Sequence, residues 1–170
     1  MIEPSHCRVM AVYNAEMNER LYEVAASMPD GDRRADLGAF FDSIFATFNH
    51  LLWSDQVWMS RFTGRTRPGV GIRERMYDDF DALRRARQAM DEEIRTWADG
   101  VSRDWLAATV SWRSGQDGTI RSRRAWLLAV HLFNHQTHHR GQITAMMSRL
   151  GYDYGVTDVP WMPGVEEMAT

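Results

Sequence analysis

The sequence predicts an all-α protein, an up-down four-helix bundle with a long connection before its last helix. Three observations carry this reading. Four long segments place apolar residues at spacings of three and four, the period of a helix with one buried face. The stretches between them are rich in Pro, Gly and Asp, which stop helices. A chain of 170 residues suits one domain, spanning 1–170, and buries roughly 70% of its unfolded surface.

The first helix is expected from about Ser5 to Met28, where Met10, Tyr13, Met17, Leu21, Val24 and Met28 form the stripe and Asn14 and Asn18 lie beside it. Pro29-Asp30-Gly31-Asp32 ends it. The second runs from about Asp36 or Leu37 to Phe62, with Gly64 as its C-terminal stop. Phe40, Ile44, Phe48, Leu51, Leu52, Trp58, Met59 and Phe62 make a broad apolar face with Asp55 in its middle. Residues 63–77 form a Gly/Pro/Arg-rich connection. The third helix covers about Asp78 to Ala98, and Phe80, Leu83, Arg87, Met90, Ile94 and Trp97 follow a coiled-coil-like seam. Arg87 in that seam either snorkels to solvent or meets a buried acid such as Asp55. Val101 to Ser122 is the least helical stretch, and either a small hairpin or an ordered loop fits it. The fourth helix is expected from about Arg123 to Leu150, stopped by Gly151, and the tail from Tyr152 reads as an extended strap.

Composition excludes several function classes. A net charge of −3 argues against a nucleic-acid surface, which is usually basic. No apolar run is long enough to span a membrane, and the N-terminus has no signal-peptide pattern. The single Cys7 cannot form an internal disulfide, so a cytoplasmic location is expected. Seven Trp and a second helix that is apolar over much of its circumference, Trp53 and Val57 included, lead to the expectation of a homodimer.

Four of the six histidines fall between 131 and 139. At roughly 100° per residue, with His135 at zero, Leu128 and Met146 lie near 20°, His139 near 40°, Leu132 near 60° and Ile143 near 80°. His135 and His139 therefore share the apolar sector one turn apart, while His131, His138 and Gln142 sit at its edge. Buried imidazoles need partners. A divalent metal is one, and i, i+4 is the spacing at which two helical His reach a single ion. Histidines bonded into the core are the alternative. His50 lies near the edge of the second helix, and its wheel position does not single it out.

Tyr13-Asn14…Asn18-Glu19-Arg20-Leu21, Phe40-Phe41, Asn49-His50-Leu51-Leu52-Trp53…Asp55…Trp58…Arg61-Phe62…Gly64, Asn134-His135…His138-His139-Arg140-Gly141-Gln142 and Thr157-Asp158-Val159-Pro160 together resemble the DinB family of the DinB/YfiT-like superfamily, in order and over nearly the whole chain. The chain has Glu16 where that family often has Trp. The resemblance implies a four-helix bundle with a three-histidine centre for one divalent ion, nickel or zinc, held by His50, His135 and His139. It also implies a small-molecule substrate, with some relatives resembling transferases that use low-molecular-weight thiols.

Three neutral imidazoles with an open fourth position suit catalysis rather than structure. Such an ion lowers the pKa of water or holds a thiolate, so a thiol S-transferase or hydrolase is expected. The alternative is a non-catalytic metal-binding stress protein or a dimeric interaction protein. Ligating imidazoles usually give their second N–H to an acceptor. Asp55, Asn14, Asn18 and Gln142 are candidates for that role, and His131 and His138 for the substrate rim.

Overall fold

The computed structural model describes residues 1–115 and 117–169. The molecule is mostly helical with one small two-stranded sheet. Helix α1 (Pro4–Ser27) begins with Pro at its first position, where the missing N–H costs nothing. It buries Cys7, Ala11, Asn14, Met17, Asn18 and Leu21. Beyond Pro29 the chain makes one further helical turn, α2 (Asp30–Arg34), and Arg33 Nη1 donates back to the Ala25 and Met28 carbonyls at 2.9 and 2.7 Å. The Met28 carbonyl is thereby satisfied, and the Ala25 carbonyl, which already accepts from Met28 N–H at 3.2 Å, gains a second donor.

Helix α3 (Ile44–Thr63) starts later than the periodicity predicts. Gly38 and Asp42 both take left-handed backbone conformations, with φ of 75° and 64°, and Leu37 N–H closes on the Asp42 carbonyl at 2.8 Å. This tight loop holds Phe40 and Phe41 outside the helix, and Ser43 then caps it by accepting from Ala46 N–H. The helix stops at Gly64 as expected, in the left-handed conformation.

The irregular connection 64–79 is fixed by α3 side chains. Asn49 Oδ1 accepts from the N–H groups of Met76 and Tyr77 at 3.1 and 3.0 Å, and Trp53 Nε1 donates to the Val70 carbonyl at 2.9 Å. Helix α4 (Phe80–Gly100) buries Phe80, Leu83, Arg87, Met90 and Ile94 along the expected seam. A short helix, α5 (Arg103–Ala107), leads into the hairpin. Strands β1 (Thr109–Arg113) and β2 (Ile120–Arg124) pair antiparallel, with Thr109 opposite Arg124 and Arg113 opposite Ile120. Of the two alternatives for this stretch the hairpin is the one formed. Gln116, in its turn, lies outside the described residues. Helix α6 (Ala125–Arg149) begins two residues later than expected, because Arg123 and Arg124 belong to β2.

The tail is a strap only in its first part. Tyr13 Oη donates to the Thr157 carbonyl at 2.7 Å and Tyr152 Oη to Asp32 at 2.8 Å. After a 3-10 turn at Val159–Trp161, helix α7 (Pro163–Ala169) packs on α1. The prolines that suggested an extended chain, Pro160 and Pro163, sit in the first turns of helical segments, where Pro is tolerated.

Among the long helices, α1 packs on α4 and α6, and α3 also packs on α4 and α6. Each therefore has two long neighbours, and the apolar stripes meet in one core that includes Phe48, Leu52, Met59, Leu83, Ile94, Leu132 and Ile143. Trp53 and Val57, on which the expectation of a homodimer rested, are 9% and 3% exposed. They are covered within the chain, so they offer no free face. Among the described residues no helix is long and apolar enough to cross a membrane.

Candidate metal centre

Three histidines converge between α3 and α6. His50 comes from α3, and His135 and His139 come from successive turns of α6; their ligand nitrogens all lie within 4.8 Å of one another. His50 Nε2 and His135 Nε2 are 3.3 Å apart. Two nitrogens sharing a tetrahedral ion at about 2.05 Å would be separated by about 3.3 Å, so this edge of the triangle already has the spacing that an ion requires. The His50–His139 and His135–His139 ring centroids are 4.6 and 4.5 Å apart.

His139 Nδ1 meets Gln142 Oε1 at 2.7 Å. An amide oxygen can only accept, so Nδ1 carries the proton and Nε2 keeps its lone pair. The i, i+3 spacing on α6 makes this contact local. Phe41, carried by the tight loop before α3, stacks on the His50 ring with centroids 3.9 Å apart and an interplanar angle of 20°.

Burial sets the protonation of the trio. It pushes His50 down to about 4 and His135 down to about 3, with neighbouring imidazoles adding to the effect in both, while a backbone contact at Ile72 partly opposes it in His50. His139 is also lowered, mainly by burial, against the upward pull of Gln142. All three are neutral at pH 7, the form that binds metals. His135 Nδ1 is buried and bonds to no protein group among the described residues, and buried His50 Nδ1 has only the weak backbone contact at Ile72. Three neutral imidazole nitrogens within 4.8 Å of one another could hold a divalent ion.

The remaining sequence candidates divide. Gln142 touches a histidine of the trio. Asp55, Asn14 and Asn18 do not; they belong to a separate polar network in the centre of the core. Asp55 Oδ2 accepts from Arg87 Nη1 and Gln136 Nε2, each at 2.6 Å. Arg87 Nη2 lies 2.9 Å from Asp91 Oδ1, and Asn18 Nδ2 donates to the same oxygen at 2.8 Å. Arg140 Nη1 donates to Asn14 Oδ1, and to Gln136 Oε1 at 3.2 Å. Arg87 is thus buried against Asp55 rather than snorkelling. Burial pushes Asp55 and Asp91 up to about 6, while Arg87 holds them back.

His131 and His138 are exposed and lie outside the trio. His131 packs edge-on to Trp58, with centroids 4.9 Å apart, and its ring centroid is 5.7 Å from that of His135. His138 sits against His139 at 4.8 Å. A cleft of about 780 Å³ opens beside the trio; His50 and His135 line it together with Trp53, Trp58, Trp112 and His131.

Gln136, Arg140 and Phe41 were not singled out from the sequence as site residues. A signal for the first two existed. On the wheel Ala129, Phe133 and Met147 extend the apolar sector to about 160°, which places Gln136 at its centre and Arg140 inside it. His135 then falls at its edge, in keeping with its partial exposure. Phe41 belongs to the family motif, but nothing in the helical pattern gives it a role at the site, since its contact depends on the loop.

The model of the DinB family matches residues 1–169. Protein DinB of Bacillus subtilis (strain 168) is 24% identical to this chain over 151 residues, covering 86% of this chain and 87% of that protein. No solved structure gives a significant match. A family match over almost the full length, coming after a three-histidine cluster at the positions that the sequence motifs mark, settles the relationship: the chain belongs to the DinB family.

Proposed function

We propose that this protein is a metal-dependent enzyme, built as an up-down four-helix bundle in which His50, His135 and His139 hold one divalent ion, nickel or zinc. The observation that carries the reading is the convergence of three neutral imidazole nitrogens, with no carboxylate among them, beside an open cleft that His50 and His135 line. Three protein ligands with space beyond them form a catalytic rather than a structural arrangement. When bound, the ion supplies Lewis-acid activation of a water or a small thiol, the chemistry of a hydrolase or a thiol S-transferase.

The protein's own groups divide the remaining work. Gln142 fixes the tautomer and tilt of His139. Phe41 covers one face of His50 and keeps water from it. Trp53, Trp58 and Trp112 wall the cleft with apolar surface. Among the described residues His131 is the one base lining the cleft that is not part of the trio, placed to take a proton from a bound nucleophile.

The test uses protein made without a His-tag. Elemental analysis should find one nickel or zinc per chain. His135→Ala or His139→Ala should lower metal affinity by at least about tenfold to hundredfold, the range usual even for groups behind the ligands, while His131→Ala and His138→Ala retain the metal. A small thiol should shift the visible spectrum of the cobalt-substituted form. Equal binding by all four variants would overturn the site, and tight binding without turnover of thiol or ester substrates would leave a metal-binding protein but no enzyme.

A further inference from the structure

The cleft beside the histidine trio has an unusual electrostatic lining. The chain carries 23 acidic and 20 basic side chains, yet among the described residues no Asp or Glu lines this cleft, whereas Arg61, Arg67 and Arg121 do. Arg121 is neutralised by Asp117 at 3.0 Å. Arg61 and Arg67 are different: neither forms a hydrogen bond or ion pair with any described residue. Many arginines of this chain do pair, Arg33, Arg34, Arg65, Arg84, Arg87 and Arg103 each with a carboxylate.

Arg61 is held in place without being neutralised. Its guanidinium lies over the Trp58 ring at 4.2 Å and 5.0 Å from the centre of the Trp112 ring. Such stacking orients the guanidinium and leaves its N–H edge free to bind. Burial, and secondarily the nearby Arg67, push Arg61 down to about 10, so it remains a cation at neutral pH with another cation close by. The Arg67 guanidinium packs directly on Gly115 in the hairpin turn, where a Cβ would collide with it. An unpaired cation stacked between two indoles, beside a second unpaired cation, calls for an anion with an apolar body.

The cleft also has a length. Side chains on a helix lean toward its N-terminus, and Arg61 accordingly reaches back over Trp58, toward His50. His50 and Trp58 are separated by about 12 Å along the axis of α3. A molecule that reaches from the trio to Arg61 is therefore on the order of 10 Å long, with three tryptophans along its course.

We propose that this cleft binds a small organic carboxylate with an aromatic or similarly apolar body, its carboxylate received by Arg61 and Arg67 and its far end directed at His50 and His135. For the reaction, this deepens the metal-enzyme reading; for binding it does not require the ion, because neither arginine belongs to the trio.

The experiment is isothermal titration of metal-free and cobalt-loaded protein with 3-phenylpropanoate and 4-phenylbutanoate, each against its uncharged amide. At least one acid should bind about tenfold to hundredfold tighter than its amide, the value of charge-assisted bonds to a carboxylate. The preference should be the same with and without metal. It should fall below about threefold in Arg61→Gln/Arg67→Gln and return in part in Arg61→Lys/Arg67→Lys, with circular dichroism confirming that each variant folds. Failure of both acids to bind, equal affinity for acid and amide, or a preference that survives in the Gln variant would overturn the proposal. A preference seen only with cobalt present would also overturn it, by placing the carboxylate on the ion. A preference that persists in protein unable to bind metal would leave the anion site standing while the metal reading falls.

Discussion

At the scale of single residues, Gln142 is the side chain whose removal separates tuning from ligation. Gln142→Leu keeps the size but takes away the acceptor for His139 Nδ1–H. It should weaken metal binding about 10–100-fold without abolishing it, as competition with a chelating dye would show. The depressed imidazoles also set a pH dependence in the metal-free protein. His135 is near 3 when folded and near its ordinary value of 6.5 when unfolded, so between those values only the unfolded chain takes up the proton. The stability linked to neutral His135 is complete above about 6.5 and is lost as the pH falls toward the folded value. His135→Gln cannot protonate. Its stability relative to wild type should therefore rise steadily from pH 6.5 to pH 4 in urea titrations. Of the site itself, the i, i+4 pair His135 and His139 stood out from helical phase, one at the edge of the apolar sector and one inside it, with a metal and a hydrogen-bonded core both open as partners. His50 was legible only through the family motif. Its ring is brought to His135 by helix packing, which a single-helix wheel does not contain.

At the scale of elements, long stripes were readable and their ends were not. The seam of α4 and the body of α6 follow their apolar period directly. The start of α3 was misplaced because Phe40 continues the stripe in phase, while the left-handed residues Gly38 and Asp42 forbid a helix there. Asp at such a position is tolerated more readily than most residues, and nothing in the pattern announces it. The true start is marked by Ser43, whose hydroxyl accepts from Ala46 N–H at 3.1 Å. Ser43→Ala should cost about 0.5–2 kcal/mol of stability in urea denaturation. Gly64→Ala at the other end should cost about 1–2 kcal/mol, from backbone conformation alone, since a Cβ there meets nothing within 4 Å. The loop set up by the late start is what delivers Phe41 to His50, so a helix extended through 37–43 would remove the cover from one histidine of the trio.

At the scale of the whole molecule, the polar network deep in the core draws a member from every long helix: Asn14 and Asn18 from α1, Asp55 from α3, Arg87 and Asp91 from α4, and Gln136 and Arg140 from α6. Two carboxylates face two guanidiniums, so its charges balance. Buried ionic groups favour one arrangement of helices over others most strongly when all are satisfied; here the charges pair, while Asp55 Oδ1, Arg87 Nε and Asn14 Nδ2 hydrogen-bond to no described residue. Arg87→Met strands Asp55 and Asp91 without their nearest cation and should cost about 3–5 kcal/mol, measured as a lowered urea midpoint. Adding Asp55→Asn and Asp91→Asn should restore part of that loss by removing the uncompensated charge. Gln136 connects this network to the histidine trio through its place in the chain, one residue after His135. A helix rotation that presented His135 differently would pull Gln136 away from Asp55.

The tryptophans around the cleft give the protein an optical consequence. The Trp53 ring centre is 5.9 Å from that of His50, and Trp58 lies 4.9 Å from His131. Trp161, by contrast, is 68% exposed in the tail. An open-shell ion such as nickel or cobalt takes up excitation energy from an indole at such short range, whereas closed-shell zinc does not. Filling the trio with nickel should therefore dim the emission of Trp53 and Trp58, the indoles beside it, and leave the long-wavelength glow of Trp161, whereas filling it with zinc should leave the colour of the emitted light unchanged.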